Sequence, residues 1–201
     1  MQAAQVAAFS LVQFQCRCAI EVSGPQTEAE MSNPIGLFYA STTGNTEMVA
    51  EQLAALLPER IQLHDIAVEG VAAMAEYSLL IMGISTWDFG ELQEDWNEHW
   101  SDLKALDFSG KRVALFGLGD QLGYGEWFLD AMGALNEVLQ AAGAEVVVPW
   151  PIDGYRFEAS RALTEDGRYF VGLALDEDGE HGLTQERLDA WLPQVLAAFD
   201  A

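Results

Sequence analysis

An apolar run, Ile35, Leu37, Phe38 and Tyr39, breaks off into Ser41-Thr42-Thr43-Gly44-Asn45-Thr46, and a helix begins at once. No other stretch constrains the fold as strongly. A short run that is apolar throughout suits a strand buried on both faces of a parallel sheet. Residues 46–57 place Met48, Val49, Leu53, Leu56 and Leu57 at helical spacing, with no Gly or Pro among them. The intervening loop can aim several backbone N–H groups and hydroxyls at one point before the helix, where unpaired donors and the positive dipole end hold a phosphate. A triphosphate loop needs Gly-Lys-Ser/Thr, and this loop has no Lys. A dinucleotide fingerprint needs three spaced glycines, and only Gly44 is present. A single phosphomonoester held without a cation is the economical reading, with an ordinary Ser/Thr-rich turn as the alternative.

The same rhythm continues along the chain. Apolar runs predict further strands at 61–66, 77–85, 112–118 and 145–150. Helical patterns are expected around 68–75, at 96–106, at 126–142 with Gly143 as C-cap, and at 184–199 with Thr184 as N-cap. Strands alternating with helices give a parallel sheet covered on both faces. Ligands of such sheets lie beyond the carboxyl ends of the strands, near the point where strand order reverses.

With 201 residues, half of them hydrophobic, the chain can bury one sizeable core. Its net charge of −23 disfavours nucleic acid and anionic membranes and favours partners with a basic face. Cys16 and Cys18 are the only cysteines, which excludes a disulfide framework and thiolate chemistry from the main body. His64, His99 and His181 form no metal-ligand spacing, and no stretch approaches the ~20 apolar residues of a membrane span. Residues 1–32 read as an extension to a domain over 33–201. Before Ile20 they contain only Arg17 as a base, and Gln2, Gln5, Gln13 and Gln15 interrupt their apolar stretch. That is neither the basic start nor the clean apolar centre of a signal peptide. Disorder or an upstream start site is the leading account, organelle targeting the lesser one, and a cytoplasmic protein is expected.

Two loops follow strands three and four. Thr86-Trp87-Asp88-Phe89-Gly90 puts an indole at a loop tip, and Gly117-Leu118-Gly119-Asp120-Gln121-Leu122-Gly123-Tyr124 is glycine-rich with one exposed aromatic. Together with the phosphate loop they offer an anion site, two flanking rings, and backbone free to approach a polar ring edge. An aromatic phosphomonoester between Trp87 and Tyr124 meets all three demands, and flavin mononucleotide (FMN) is the commonest such cofactor.

These residues resemble a flavodoxin. Ser41-Thr42-Thr43-Gly44-Asn45-Thr46 matches that family's Ser/Thr-x-Thr-Gly-x-Thr phosphate loop. Residues 86–92 resemble its first flavin loop and 119–124 its second. The stretch from Asp153-Gly154-Tyr155 through Phe170 to Asp176 resembles the insertion that splits the last strand in the long-chain subgroup. The likeness covers about residues 33–200. It implies a doubly wound five-stranded α/β fold of order 2-1-3-4-5 with one non-covalently bound FMN. By that resemblance Ser41, Thr42, Thr43, Gly44, Asn45 and Thr46 hold the phosphate, Trp87 flanks the inner ring face beside Thr86, and Tyr124 stacks outside. The Asp88–Phe89 peptide turns toward flavin N5, with Gly90 easing its flip. Gly119, Asp120 and the backbone near Trp127 meet the pyrimidine edge, and Asp178 approaches the ribityl chain. Leu118, where several members have Thr, and the bulky Trp127 depart from the family pattern.

The implied job is one-electron transfer between semiquinone and hydroquinone, without substrate turnover of its own. No Lys or Arg occurs in 86–92 or 117–127, whereas Asp88, Glu91, Asp120 and Glu126 do. A negative charge added to the ring would meet that field, so a low second potential is expected. Glu91, Glu94, Asp95 and Glu98 form either a solvated helix start or a rim that steers basic partners. By resemblance those are ferredoxin–NADP reductase, photosystem I, nitrogenase reductase or pyruvate oxidoreductase, met by a monomer. The competing readings are a flavodoxin-like NAD(P)H or quinone reductase and a flavin-free binding module.

Overall fold

Residues 33–201 are described by a computed structural model, and the extension expected over 1–32 lies outside them. Strand β1 (Ile35–Tyr39) runs parallel between β2 (Ile61–Asp65) and β3 (Leu79–Trp87), and β4 (Arg112–Leu118) follows β3. Two short strands share the outer edge of β4: β5 (Glu145–Val147) pairs with Arg112 to Ala114, and β6 (Leu173–Leu175) with Phe116 to Leu118. The order is therefore 2-1-3-4-5 with the last position split, as the resemblance implies.

Alternation along the strands divides the core into two layers. Ile35, Leu37, Ile81, Ala114 and Phe116 face helices α1 (Asn45–Leu56) and α5 (Thr184–Phe199), packing with Val49, Leu53, Leu188, Trp191 and Val195. Phe38, Leu80, Met82, Val113 and Leu115 face the other way. There they meet Trp96 of α2 (Glu94–Glu98), Leu103 of α3 (Trp100–Ala105), and Met132, Leu135 and Leu139 of α4 (Asp130–Ala141). β1 thus carries apolar residues on both sides because both sides are covered.

Several boundaries differ from expectation. The helix expected at 96–106 is two short helices meeting at His99, with the buried Trp96 donating its indole N–H to the Gly83 carbonyl at 3.0 Å. The pattern around 68–75 resolves into an α-turn, Ile66–Glu69, and a 3-10 turn, Ala72–Glu76. The expected strand at 145–150 stops at Val147, because Val148 adopts φ +59°. Trp150–Pro151 then pairs antiparallel with Tyr169–Phe170 inside the inserted segment. Residues 125–127 form a 3-10 turn, and Leu129, at φ +64°, separates it from α4. Gly143 does close α4, at φ +93° with its N–H on Gln140 O. Thr184 is not the cap of α5. It is the first helical residue, and its hydroxyl donates to the Glu177 carboxylate instead. Among the described residues no helix is long and apolar enough to cross a membrane, and no His, Cys, Asp and Glu cluster could hold a metal.

Candidate functional site

Beyond the carboxyl ends of β1, β3 and β4 lies a cavity of about 560 Å³. The first wall is the loop between β1 and α1. Gly44 occupies the N-cap of α1 at φ +89°, a left-handed conformation that suits glycine, and its N–H donates to Ser41 Oγ at 3.1 Å. That bond folds the loop on itself. The amides of Thr42, Thr43, Asn45 and Thr46 have no protein acceptor among the described residues. Four orphan donors at the start of a twelve-residue helix are the chemistry of an anion cradle. Thr43, Asn45 and Thr46 line the cavity, whereas Ser41 and Gly44 shape the loop from behind. Thr42 faces a neighbouring groove, where its hydroxyl accepts a 3.1 Å bond from Gln93 Nε2.

The second wall is the hairpin after β3. Thr86 pairs with Leu92 and Trp87 with Glu91, and the Gly90 N–H returns to Trp87 O at 3.1 Å. Asp88, at φ +43°, and Gly90, at φ +91°, make this turn tight. Trp87 anchors its indole on Ser85 Oγ at 3.0 Å, and Thr86 Oγ1 accepts from the Ala131 N–H at 3.1 Å, tying the hairpin to α4. Thr86, Trp87 and Asp88 line the cavity; Gly90 lines the groove, and Phe89 is turned out. Phe89 is 69% exposed and sets its edge on Trp127 with ring centroids 5.0 Å apart.

The third wall follows β4. Asp120 Oδ1 accepts from the amides of Leu122 (3.0 Å) and Gly123 (2.7 Å), and Asp120 O accepts from Tyr124 N–H, so this loop is wound around its own carboxylate. Gly119, Asp120, Tyr124 and Trp127 line the cavity. The Gly119 and Trp127 amides are engaged within the protein, on Leu175 O and Tyr124 O. Asp178 closes the far side.

Four lining residues, Ser85, Leu118, Phe128 and Glu177, stand outside the expected contact set. Ser85 and Leu118 were legible as the last residues of strands whose loops had been singled out, and Glu177 as the neighbour of Asp178. Phe128, only 1% exposed, reads as core and carried no signal. The lining holds four carboxylates, Asp88, Asp120, Glu177 and Asp178, and no Lys or Arg.

Comparison with known proteins identifies the family and the fold. The family profile described as Flavodoxin matches residues 37–191. "Flavodoxin 2" of Salmonella typhi is 50% identical over 163 residues, covering 81% of this chain and 94% of its own. "Flavodoxin 1" of Escherichia coli K12 is 44% identical over 161 residues, covering 80% of this chain and 91% of its own. Among solved structures, a Fusobacterium nucleatum flavodoxin bound to flavin mononucleotide superposes with a TM-score of 0.78 at 31% identity, covering 83% of this chain and 99% of that one.

Proposed function

The chain belongs to the flavodoxin family and is a flavin-based electron carrier, and on that footing we propose that the three-walled cavity is where it seats FMN for one-electron traffic at low potential. The observation that carries this reading is the set of unpartnered amides at Thr42, Thr43, Asn45 and Thr46, beside a slot bordered by Trp87 and Tyr124. FMN supplies the redox chemistry; the chain supplies binding, orientation and electrostatics. The 41–46 loop holds the phosphate with neutral dipoles, Thr43 and Thr46 adding hydroxyls. Trp87 and Tyr124 cover the two ring faces and exclude water from them. Asp120 and the backbone beside Trp127 face the pyrimidine edge, and Asp178 the ribityl chain. With FMN seated, the Asp88–Phe89 peptide would turn toward N5 and could offer it either the Phe89 N–H or the Asp88 carbonyl. Such a flip falls on Asp88 ψ and Phe89 φ, so Gly90 serves the turn by closing it rather than by flipping itself.

The carboxylates around the cavity oppose any added negative charge at ~0.4 kcal/mol per unit charge ~10 Å away in water, and more where rings exclude solvent. That is the physical basis for a low second potential.

Flavodoxins pass electrons to redox partners, and the acidic rim marks where a basic-faced one would dock. Asp88, Glu91, Glu94 and Glu137 line, with Trp87, Leu92 and Trp100, a groove of about 710 Å³ next to the cavity, against two bases, Lys104 and Arg161. By the flavodoxin resemblance such partners are ferredoxin–NADP reductase, photosystem I, nitrogenase reductase or pyruvate oxidoreductase, and the proposed location is cytoplasmic. Anaerobic reductive titration tests the reading. Two separate one-electron steps, the second at markedly lower potential, are expected. A single two-electron step would sink it.

A further inference from the structure

Gln121 sits between two cavity-facing features, yet its own side chain is only 2% exposed while its neighbour Leu122 is 61% exposed. Its Nε2 donates to Asp176 Oδ2 at 2.9 Å, and its backbone N–H reaches the same oxygen at 3.3 Å. Its Oε1 accepts from the Arg156 N–H at 2.6 Å. Asp176 is fully buried, and its other oxygen accepts from Gly179 N–H at 2.8 Å. One amide therefore joins three separate pieces of chain: the loop carrying Asp120 and Tyr124, the inserted segment, and the turn after β6 that carries Glu177 and Asp178.

We infer that Gln121 is the positioning residue for the ring end of the cavity. Through Asp176 it fixes the spacing between the wall bearing Tyr124 and the wall bearing Asp178. The residue type follows from the contacts. A primary amide donates to a carboxylate and accepts from a backbone N–H at once, which neither Glu nor an apolar residue of that size does. Without it the buried Asp176 oxygen loses a donor and the Arg156 amide loses an acceptor, each a group that is costly to leave unpaired. The loop then settles elsewhere, and Tyr124 settles with it. Among the described residues no hydrogen bond joins residues 41–46 to Gln121, Asp176 or Arg156. The inference rests on the proposed seating of FMN, with Tyr124 over the ring and residues 41–46 on the phosphate.

The test uses full-length protein stripped of cofactor, with thermal melting to confirm folding, and three probes: FMN, riboflavin and inorganic phosphate. Gln121→Met should weaken FMN and riboflavin together, by about tenfold for one well-made interaction lost, and leave inorganic phosphate unchanged. Gln121→Glu sets a further carboxylate against Asp176 and Glu180 and should weaken both flavins further. The exchange Gln121→Glu with Asp176→Asn restores a side-chain donor–acceptor pair at constant charge but turns an amide nitrogen toward a backbone N–H that Asp176 accepts from, so it should recover part of the loss. Phosphate affinity falling in parallel, or no recovery in the exchange, would show a general structural role and overturn the inference; so would unaltered riboflavin affinity in Gln121→Met. Should Gln121→Met not fold, the comparison of Gln121→Glu with the exchange decides alone. Failure of the underlying site reading looks different: Tyr124→Ala would then leave flavin affinity unchanged in an otherwise wild-type protein.

Discussion

Gly90 shows how much a single position can be asked to do. At φ +91° it lies where side chains are strained, and a Cβ there would stand 2.9 Å from Asp130 Oδ2 and 3.3 Å from Trp127 Cδ1. Gly90→Ala should therefore destabilise the apoprotein by about 1–2 kcal/mol, the usual cost of forcing an L-residue into the left-handed region, as read from urea unfolding. No loss would mean that the hairpin relaxes freely. The spacing of the motif announced that Gly90, Phe89 and Thr42 belong to the site loops, but not which way they face. Thr42 is claimed by Gln93 and Phe89 by Trp127, and neither partner is adjacent in sequence. Facing direction is a tertiary property, and a loop without periodicity gives no phase from which to read it.

Among the elements, the inserted segment relies on one tyrosine. Tyr155 donates to Ala174 O at 2.6 Å, accepts from Trp150 Nε1 at 3.0 Å, and lies under Arg187 with the guanidinium carbon 4.4 Å from its ring centroid. Burial pushes its hydroxyl up to about 12, against a smaller lowering by Arg187. A raised value in the fold means stability that is intact below about 10 and lost as pH rises through about 12. Tyr155→Phe should cost about 1–2 kcal/mol near neutrality by orphaning its two partners. The gap to wild type should then narrow as pH climbs through that window, because the variant has no hydroxyl to ionise; a gap constant in alkaline urea titrations would refute the account. The same segment shows what element-level reading can do. β1 and β4 were legible because uninterrupted apolar runs are what doubly covered strands require. The break at Val148 was not, since a β-branched residue at φ +59° contradicts its own local preference and is imposed by the chain's departure into the Trp150–Phe170 pairing. The break at His99 was similarly hidden, because Trp96, Trp100 and Leu103 keep helical spacing across it.

For the molecule as a whole, a net charge of −23 sets two recognitions against each other. A phosphate dianion approaches an acidic protein with no Lys or Arg lining its cavity, so only short-range dipoles attract it while the overall field repels it. Salt shortens that field from about 10 Å at 0.1 M to about 3 Å at 1 M. FMN affinity should therefore rise severalfold with ionic strength in a fluorescence titration, and falling affinity would point to a cation at the phosphate. A basic partner docked on the proposed acidic rim would respond oppositely and be released by the same salt. The cation-free cradle thus makes ionic strength a selector. A concentrated wash on an affinity column elutes the docked protein while the yellow prosthetic group stays in its seat. A cradle built on lysines would have surrendered both in one fraction.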